Sequence, residues 1–143
     1  MVVIEHLPDF LNCFITTVEF TLFGVFAGLG IGTLLAIGDL YGGRIISTAI
    51  RIYVEFFRGS PIIIQLYIFY FAVPNMLKIL IDPYIVGFLV FSLNSAAYQK
   101  GYIKGAIEAI STDQMTAALS IGLSKVQAIV YVVLPQALRL VMP

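Results

Sequence analysis

The sequence predicts an all-α membrane protein with three membrane-spanning helices and a cytoplasmic helical loop. Hydrophobic residues fill 60% of its 143 positions and charged ones 11%, with a mean hydropathy of +1.00. Those values lie outside the range of ordinary soluble domains. Uncharged runs cover residues 20–38, 59–77 and 83–99, each close to the roughly 20 apolar residues that one crossing takes. A fourth run, 126–138, is too short and contains Pro135. The basic residues are one-sided. Arg44, Arg51 and Arg58 fall between the first and second runs, and Lys100, Lys104, Lys125 and Arg139 follow or close the third. The other connection holds only Lys78, and the N-terminal segment has Glu5 and Asp9 but no Lys or Arg. The positive-inside rule therefore places the N-terminus outside and residues 105–135 in the cytoplasm.

Residues 1–12 read as a short outer segment, and 14–38 as the first span. Gly24, Gly28 and Gly32 recur every four residues and share one face. In lipid such a face lets another helix approach closely and gain packing contacts. Glu19 reads as an acid near the outer headgroups. Residues 39–43, Asp-Leu-Tyr-Gly-Gly, read as a turn. A two-faced helix is predicted over 44–58, with Arg44, Thr48, Arg51, Glu55 and Arg58 on one side. Ile45, Ile46, Ile52, Phe56 and Phe57 fill the other, and Arg51 and Glu55 are placed to pair. This helix either lies on the inner leaflet or extends the next span.

The second span is predicted over 60–80, with Ser60 as its N-cap and Pro61 as its first helical residue. It carries Gln65, Tyr67 and Tyr70. An outer turn over 75–83 leads to a third span over 84–103. There Asn94 and Tyr98 point the same way, beside a stripe of Ser92, Ser95 and Gln99. Polar groups at that depth are costly without partners or a watery path. They serve helix–helix hydrogen bonding or, with Gln65, line a route for a solute.

Residues 111–135 then read as two short helices joined by a tight turn. Ser111 with Gln114, and Ser124 with Gln127, are spaced as capping boxes. Gly122 stands where the first helix must stop, in a position suited to left-handed backbone. Met115, Ala118, Leu119 and Gly122 fall on one shallow face. A helix this short cannot cross a bilayer.

The spacing here resembles a known family. Thr116-Ala117-Ala118, three residues, Gly122, nine residues, Val132, one residue, Leu134-Pro135 is similar to the E-A-A…G…I-x-L-P loop of ABC-importer permeases. In that family the loop lies in the cytoplasm and docks into a groove of a separate ATP-binding subunit. Thr116 stands where the motif has Glu, so no charged contact is implied there. Phe57-Arg58-Gly59-Ser60-Pro61, then Gln65-Leu66-Tyr67 and Tyr70-Phe71, resembles the polar amino-acid subgroup (histidine, glutamate, glutamine, arginine and opine types). So does Leu93-Asn94-Ser95-Ala96-Ala97-Tyr98. An acid usual three residues after that Tyr is replaced by Gly101, which argues against a basic substrate.

The resemblance implies a helical bundle of the binding-protein-dependent ABC permease type, forming one domain over residues 1–143. It implies import of a polar amino acid across the cell membrane, coupled to the ATPase through Thr116, Ala117, Ala118, Gly122, Leu134 and Pro135. Asn94, Ser95, Tyr98 and Gln65 become candidates for the substrate path. Implied partners are the ATP-binding subunit, a second permease subunit forming a homo- or heterodimer, an extracellular solute-binding protein and the lipid bilayer. The family usually continues past Leu-Pro to five spans. A transport-incompetent truncated fragment, or a purely structural membrane subunit, is therefore the alternative expectation.

Other classes find little support. No G-x-x-x-x-G-K-[ST] motif is present. Cys13 and His6 are the only residues of their types, so neither a disulfide nor a His/Cys metal cluster is expected. Eight basic residues balance eight acidic ones, and no nucleic-acid partner, cofactor or enzymatic activity is expected. The first apolar segment lacks a basic n-region and reads as a retained span.

Overall fold

The computed structural model describes residues 7–110 and 112–141; among them every regular element is a helix. The Ser111 capping box and the first six residues of the outer segment lie outside the described residues.

Helix α1, Leu7–Tyr41, is 35 residues long, or about 52 Å at 1.5 Å per residue. It extends the expected span at both ends. Its threonines leave no stray hydroxyl: Thr16, Thr17, Thr21 and Thr33 each donate to the carbonyl four residues earlier. Asp39 was expected in a turn but belongs to the last turn of this helix. The chain reverses only at Gly42 and Gly43 (φ +81°).

Helix α2, Gly43–Gly59, buries Ile50 and Phe57 against the rest of the fold. Arg44, Arg51, Glu55 and Arg58 stay exposed on another side. The anticipated Arg51–Glu55 ion pair is not among those formed by the described residues. The next helix departs from α2 at 109°, so α2 is not its collinear extension. Ser60 is not an N-cap. Its hydroxyl donates backward to the Phe56 carbonyl at 2.7 Å, and extended Pro61 occupies the cap position.

One irregular helix follows: α3 (Ile62–Tyr67), a π-helical turn (Ile68–Ala72) and α4 (Val73–Leu77). The same pattern recurs near the C-terminus, where α7 (Lys125–Ala128), a π turn (Ile129–Val133) and α8 (Leu134–Val141) run together. In both places a proline, Pro74 or Pro135, sits second after the π turn. Proline lacks an N–H and crowds the carbonyl four residues back. Widening the preceding turn relieves that conflict, and Val73 N–H and Leu134 N–H reach back five residues to Ile68 and Ile129.

Helix α5, Pro83–Ala109, begins on an Asp82 cap that accepts from Tyr84 N–H at 2.8 Å. It pairs with α1 along nearly its full length. Phe20 meets Tyr84, Phe88 and Phe91, Gly28 meets Ser95, and Gly32 meets Ala96 and Lys100. Residue numbers rise together along both helices, so the pair is parallel. A Cβ on Gly28 would sit 2.6 Å from Ser95 Oγ; the glycine face is therefore close packing against α5. Gly28→Val is expected to cost about 1–3 kcal/mol through overpacking. The check is a lower unfolding temperature in detergent, partly recovered by adding Ser95→Gly.

Helix α6, Thr112–Ser120, closes the bundle beside the α7–α8 helix. The core lies where α1, α5 and the last helix meet, around buried Ala36, Ile103, Ile107, Val133 and Ala137. Among the described residues, α1 is long and apolar enough to cross a membrane by itself, whereas α2 with α3–α4 qualifies only as a bent pair. Helix α5 has the length, at 27 residues, but carries the polar stripe described next.

Candidate functional site

The turn after α6 is fixed by backbone geometry. Leu123 N–H bonds to the Ala118 carbonyl at 3.2 Å and Gly122 N–H to Leu119 at 3.0 Å. This is the Schellman pattern, with Gly122 at φ +88° in the position that demands left-handed backbone. Two residues on, Ser124 and Gln127 form a complete capping box, each side chain accepting from the other's backbone N–H. The turn is thus closed at both ends.

Thr116, Ala117 and Gly122 face outward, while Ala118 is buried and Met115 packs on the core. The Thr116 hydroxyl donates to the Thr112 carbonyl at 3.0 Å. Leu134 and Pro135 lie within the continuous last helix; the second loop helix is the start of that longer element, not a separate short one. Beside α6 a cavity of about 320 Å³ is lined by Leu40, Tyr41, Ile107, Met115 and Val133, among others. Lys125 Nζ stands over the Tyr41 ring, 5.2 Å from its centre.

Of the four candidate path residues, Gln65 and Asn94 come together. Gln65 is fully buried; its amide donates to the Phe57 carbonyl (2.9 Å), the Ser60 carbonyl (3.0 Å) and Ser60 Oγ (3.0 Å). Asn94 Nδ2 donates to Gln65 Oε1 (3.1 Å) and to the Phe57 carbonyl (3.2 Å). The sharp α2–α3 corner frees backbone carbonyls that a continuous helix would have used, and these two amides satisfy them. Tyr53 Oη adds a bond to the Leu93 carbonyl at 2.6 Å. Ser95 turns elsewhere, toward α1, where Gln99 bonds Ser95 Oγ (2.8 Å) and the Val25 carbonyl (3.0 Å). Tyr98 is 43% exposed and lies under the Arg58 guanidinium at 5.2 Å. It opens on a cavity of about 390 Å³ with Val54, Glu55, Arg58 and Gly59.

Replacing Gln65 by Leu removes the donor to the Ser60 carbonyl and one acceptor of the Asn94 amide, whereas the Phe57 carbonyl keeps Asn94. A loss of about 1–3 kcal/mol is expected for each group left unpaired, read as a lowered melting temperature and faster proteolysis at the corner.

A third cluster joins three helices. Asp39 of α1, its side chain 6% exposed, pairs with Lys100 Nζ at 2.6 Å and Lys104 Nζ at 2.8 Å, both on α5. Ser47 Oγ of α2 donates to its other oxygen at 2.5 Å. The hydrogen bond with Asp39 raises the Lys104 pKa; burial opposes this, and attraction from Asp39 and then Glu108 adds to it. This cluster escaped sequence reading. The available signal was an acid closing an apolar run and two lysines spaced i,i+4, but their pairing depends on the α1–α5 register.

Capped, exposed helices pack against apolar, glycine-seamed ones; among the described residues no group of His, Cys, Asp and Glu could hold a metal. Residues 28–143 match the family described as binding-protein-dependent transport system inner membrane component, and the chain belongs to that family. It is 32% identical over 142 residues to a probable amino-acid ABC transporter permease protein, PatM, of Vibrio harveyi, covering 98% of this chain and 64% of that one. It is 35% identical over 128 residues to the glutamine transport system permease protein GlnP of Escherichia coli K12, covering 89% and 58% respectively. The chain thus spans less than two thirds of the length of these relatives. A solved structure described as an amino acid ABC transporter with histidines superposes with a TM-score of 0.81 at 27% identity, over 99% of this chain and 66% of that one.

Proposed function

We propose that the chain serves as permease subunit in an ABC importer of a polar amino acid, and that the α6–Gly122–α7 turn is where a separate ATP-binding subunit docks. The observation that carries this is the doubly closed turn, with Gly122 left-handed and Thr116 and Ala117 outward, at the positions of the family's loop. A rigid, exposed helical element can enter a groove without losing order on binding. A second permease subunit completes the pathway and an external binding protein delivers the solute. The N-terminus lies outside and the loop inside, by the distribution of basic residues.

Within the bundle, Tyr98 faces the open cavity, while Gln65 and Asn94 brace the corner behind it and Ser95 seats α5 on α1. The path then runs along the Tyr98 side of α5. Alternating access arises when the ATPase dimer closes and the loop carries the movement to the helices.

The test is uptake of radiolabelled amino acids in cells with and without the gene, alongside recovery of the ATPase with the membrane subunit. Gene-dependent uptake of a polar amino acid, with the ATPase recovered, is the expected result. Absence of any gene-dependent uptake overturns the reading. Sidedness has its own check in a Cys13→Ser background. Leu80→Cys should react with an impermeant maleimide in intact cells and Ser120→Cys should not; the reverse pattern inverts the topology.

A further inference from the structure

We infer that Lys125 and Tyr41 form a strut that carries movement of the loop into the α1–α5 pair, making both positioning residues for coupling. The inference rests on the loop being the docking element. Lys125 is the first residue of α7, immediately after the capping-box Ser124 and three residues after Gly122. The turn before it is fixed by hydrogen bonds, so the lysine's root moves with the turn. Its ammonium spans to the Tyr41 ring at 5.2 Å, within the range of a cation–π contact. Beside α6, a cavity of about 320 Å³ opens between Met115 and the end of α1 at Leu40 and Tyr41. Met115 and Ala118 seat α6 on the core, but packing between α6 and the end of α1 is incomplete at this cavity. The cation over the ring bridges the turn to α1 directly. Two residues before Tyr41, Asp39 is clamped to Lys100 and Lys104 of α5 and to Ser47 of α2. Whatever displaces Tyr41 therefore displaces three helices together.

The experiment uses the assembled transporter in proteoliposomes, with its ATPase and binding protein and a radiolabelled mixture of the protein amino acids as probe. It reads two quantities, ATPase recovered with the membrane subunit and amino acid taken up per ATP hydrolysed. Lys125→Met and Tyr41→Leu should each lower that ratio by about fivefold or more, with ATPase recovery unchanged. The double variant should be no worse than either single one, because both remove the same contact. Tyr41→Phe keeps the ring and Lys125→Arg keeps the cation, so each should stay within about twofold of the unmodified chain. A normal ratio in Lys125→Met or Tyr41→Leu overturns the strut, as does strictly multiplicative loss in the double variant. So does a Tyr41→Phe defect equal to that of Tyr41→Leu. If the unmodified chain does not retain the ATPase, the docking role of the loop fails, and the strut falls with it.

Discussion

Gly122→Val is expected to abolish recovery of the ATP-binding subunit and all coupling of ATP hydrolysis to transport, while membrane insertion stays normal. At φ +88° a β-branched side chain meets the backbone clash that excludes most L-residues from this region. The local cost is about 1–2 kcal/mol. The cheapest escape is to leave the left-handed region, which breaks the Leu123–Ala118 and Gly122–Leu119 hydrogen bonds and lets α6 run on toward Ser124. Thr116 and Ala117 then turn away from their present outward position. Insertion is unaffected because residue 122 lies outside every apolar run. Gly122→Asn is the control, since asparagine tolerates left-handed backbone better than other residues, and should retain most ATPase binding. Full coupling in Gly122→Val would show that this turn is not the docking element.

The largest effect on stability is expected from Asp39→Leu. It leaves Lys100, 13% exposed, and Lys104, 32% exposed, as two like charges without their shared counter-ion, and leaves Ser47 without its acceptor. Breaking a buried ion pair by removing one partner costs about 3–5 kcal/mol, because the remaining charge stays desolvated. Lys104 can extend its ammonium toward solvent and keeps Glu108 at 3.8 Å; Lys100 is the stranded charge. Adding Lys100→Leu should therefore recover a good part of the loss. Melting of the purified subunit in detergent gives both values. Equal stability of Asp39→Leu and the unmodified chain would mean that the cluster does not hold the helices together.

Sequence reading succeeded where the determinants are local. The Gly122 stop and the Ser124–Gln127 box involve residues within a turn of one another, so their spacing alone carries the geometry. The glycine face of α1 was legible for a related reason, since a helical repeat fixes which residues share a side. Ser60 was misassigned because its usual meaning as an N-cap was overridden by Gln65, which claims Ser60 for the corner. The Asp39 cluster was invisible because its members are 61 and 65 residues apart, and only the stacking of α1 on α5 brings them together. The two π turns were signalled by Pro74 and Pro135, though a proline alone predicts a disturbance without saying which form it takes. The three path candidates on α5, Asn94, Ser95 and Tyr98, divided between two of its faces because helical spacing does not say which neighbour covers which face.

The parallel course of α1 and α5 imposes a counting rule on the chain. Two helices that start at the same end and finish at the same end cannot be joined by a short hairpin; the chain between them must travel the whole way back. Residues 43–82 are that return leg, and the 109° corner at Ser60–Pro61 falls on it. Helix α2 thus climbs from the Asp39 level to the Asn94 level, and α3–α4 completes the journey to Pro83. Three legs are an odd number. Leu7 and Ala109 therefore stand at opposite ends of the bundle whatever the distribution of charge, and the turn at Gly122 is held at the far end from where the described chain begins.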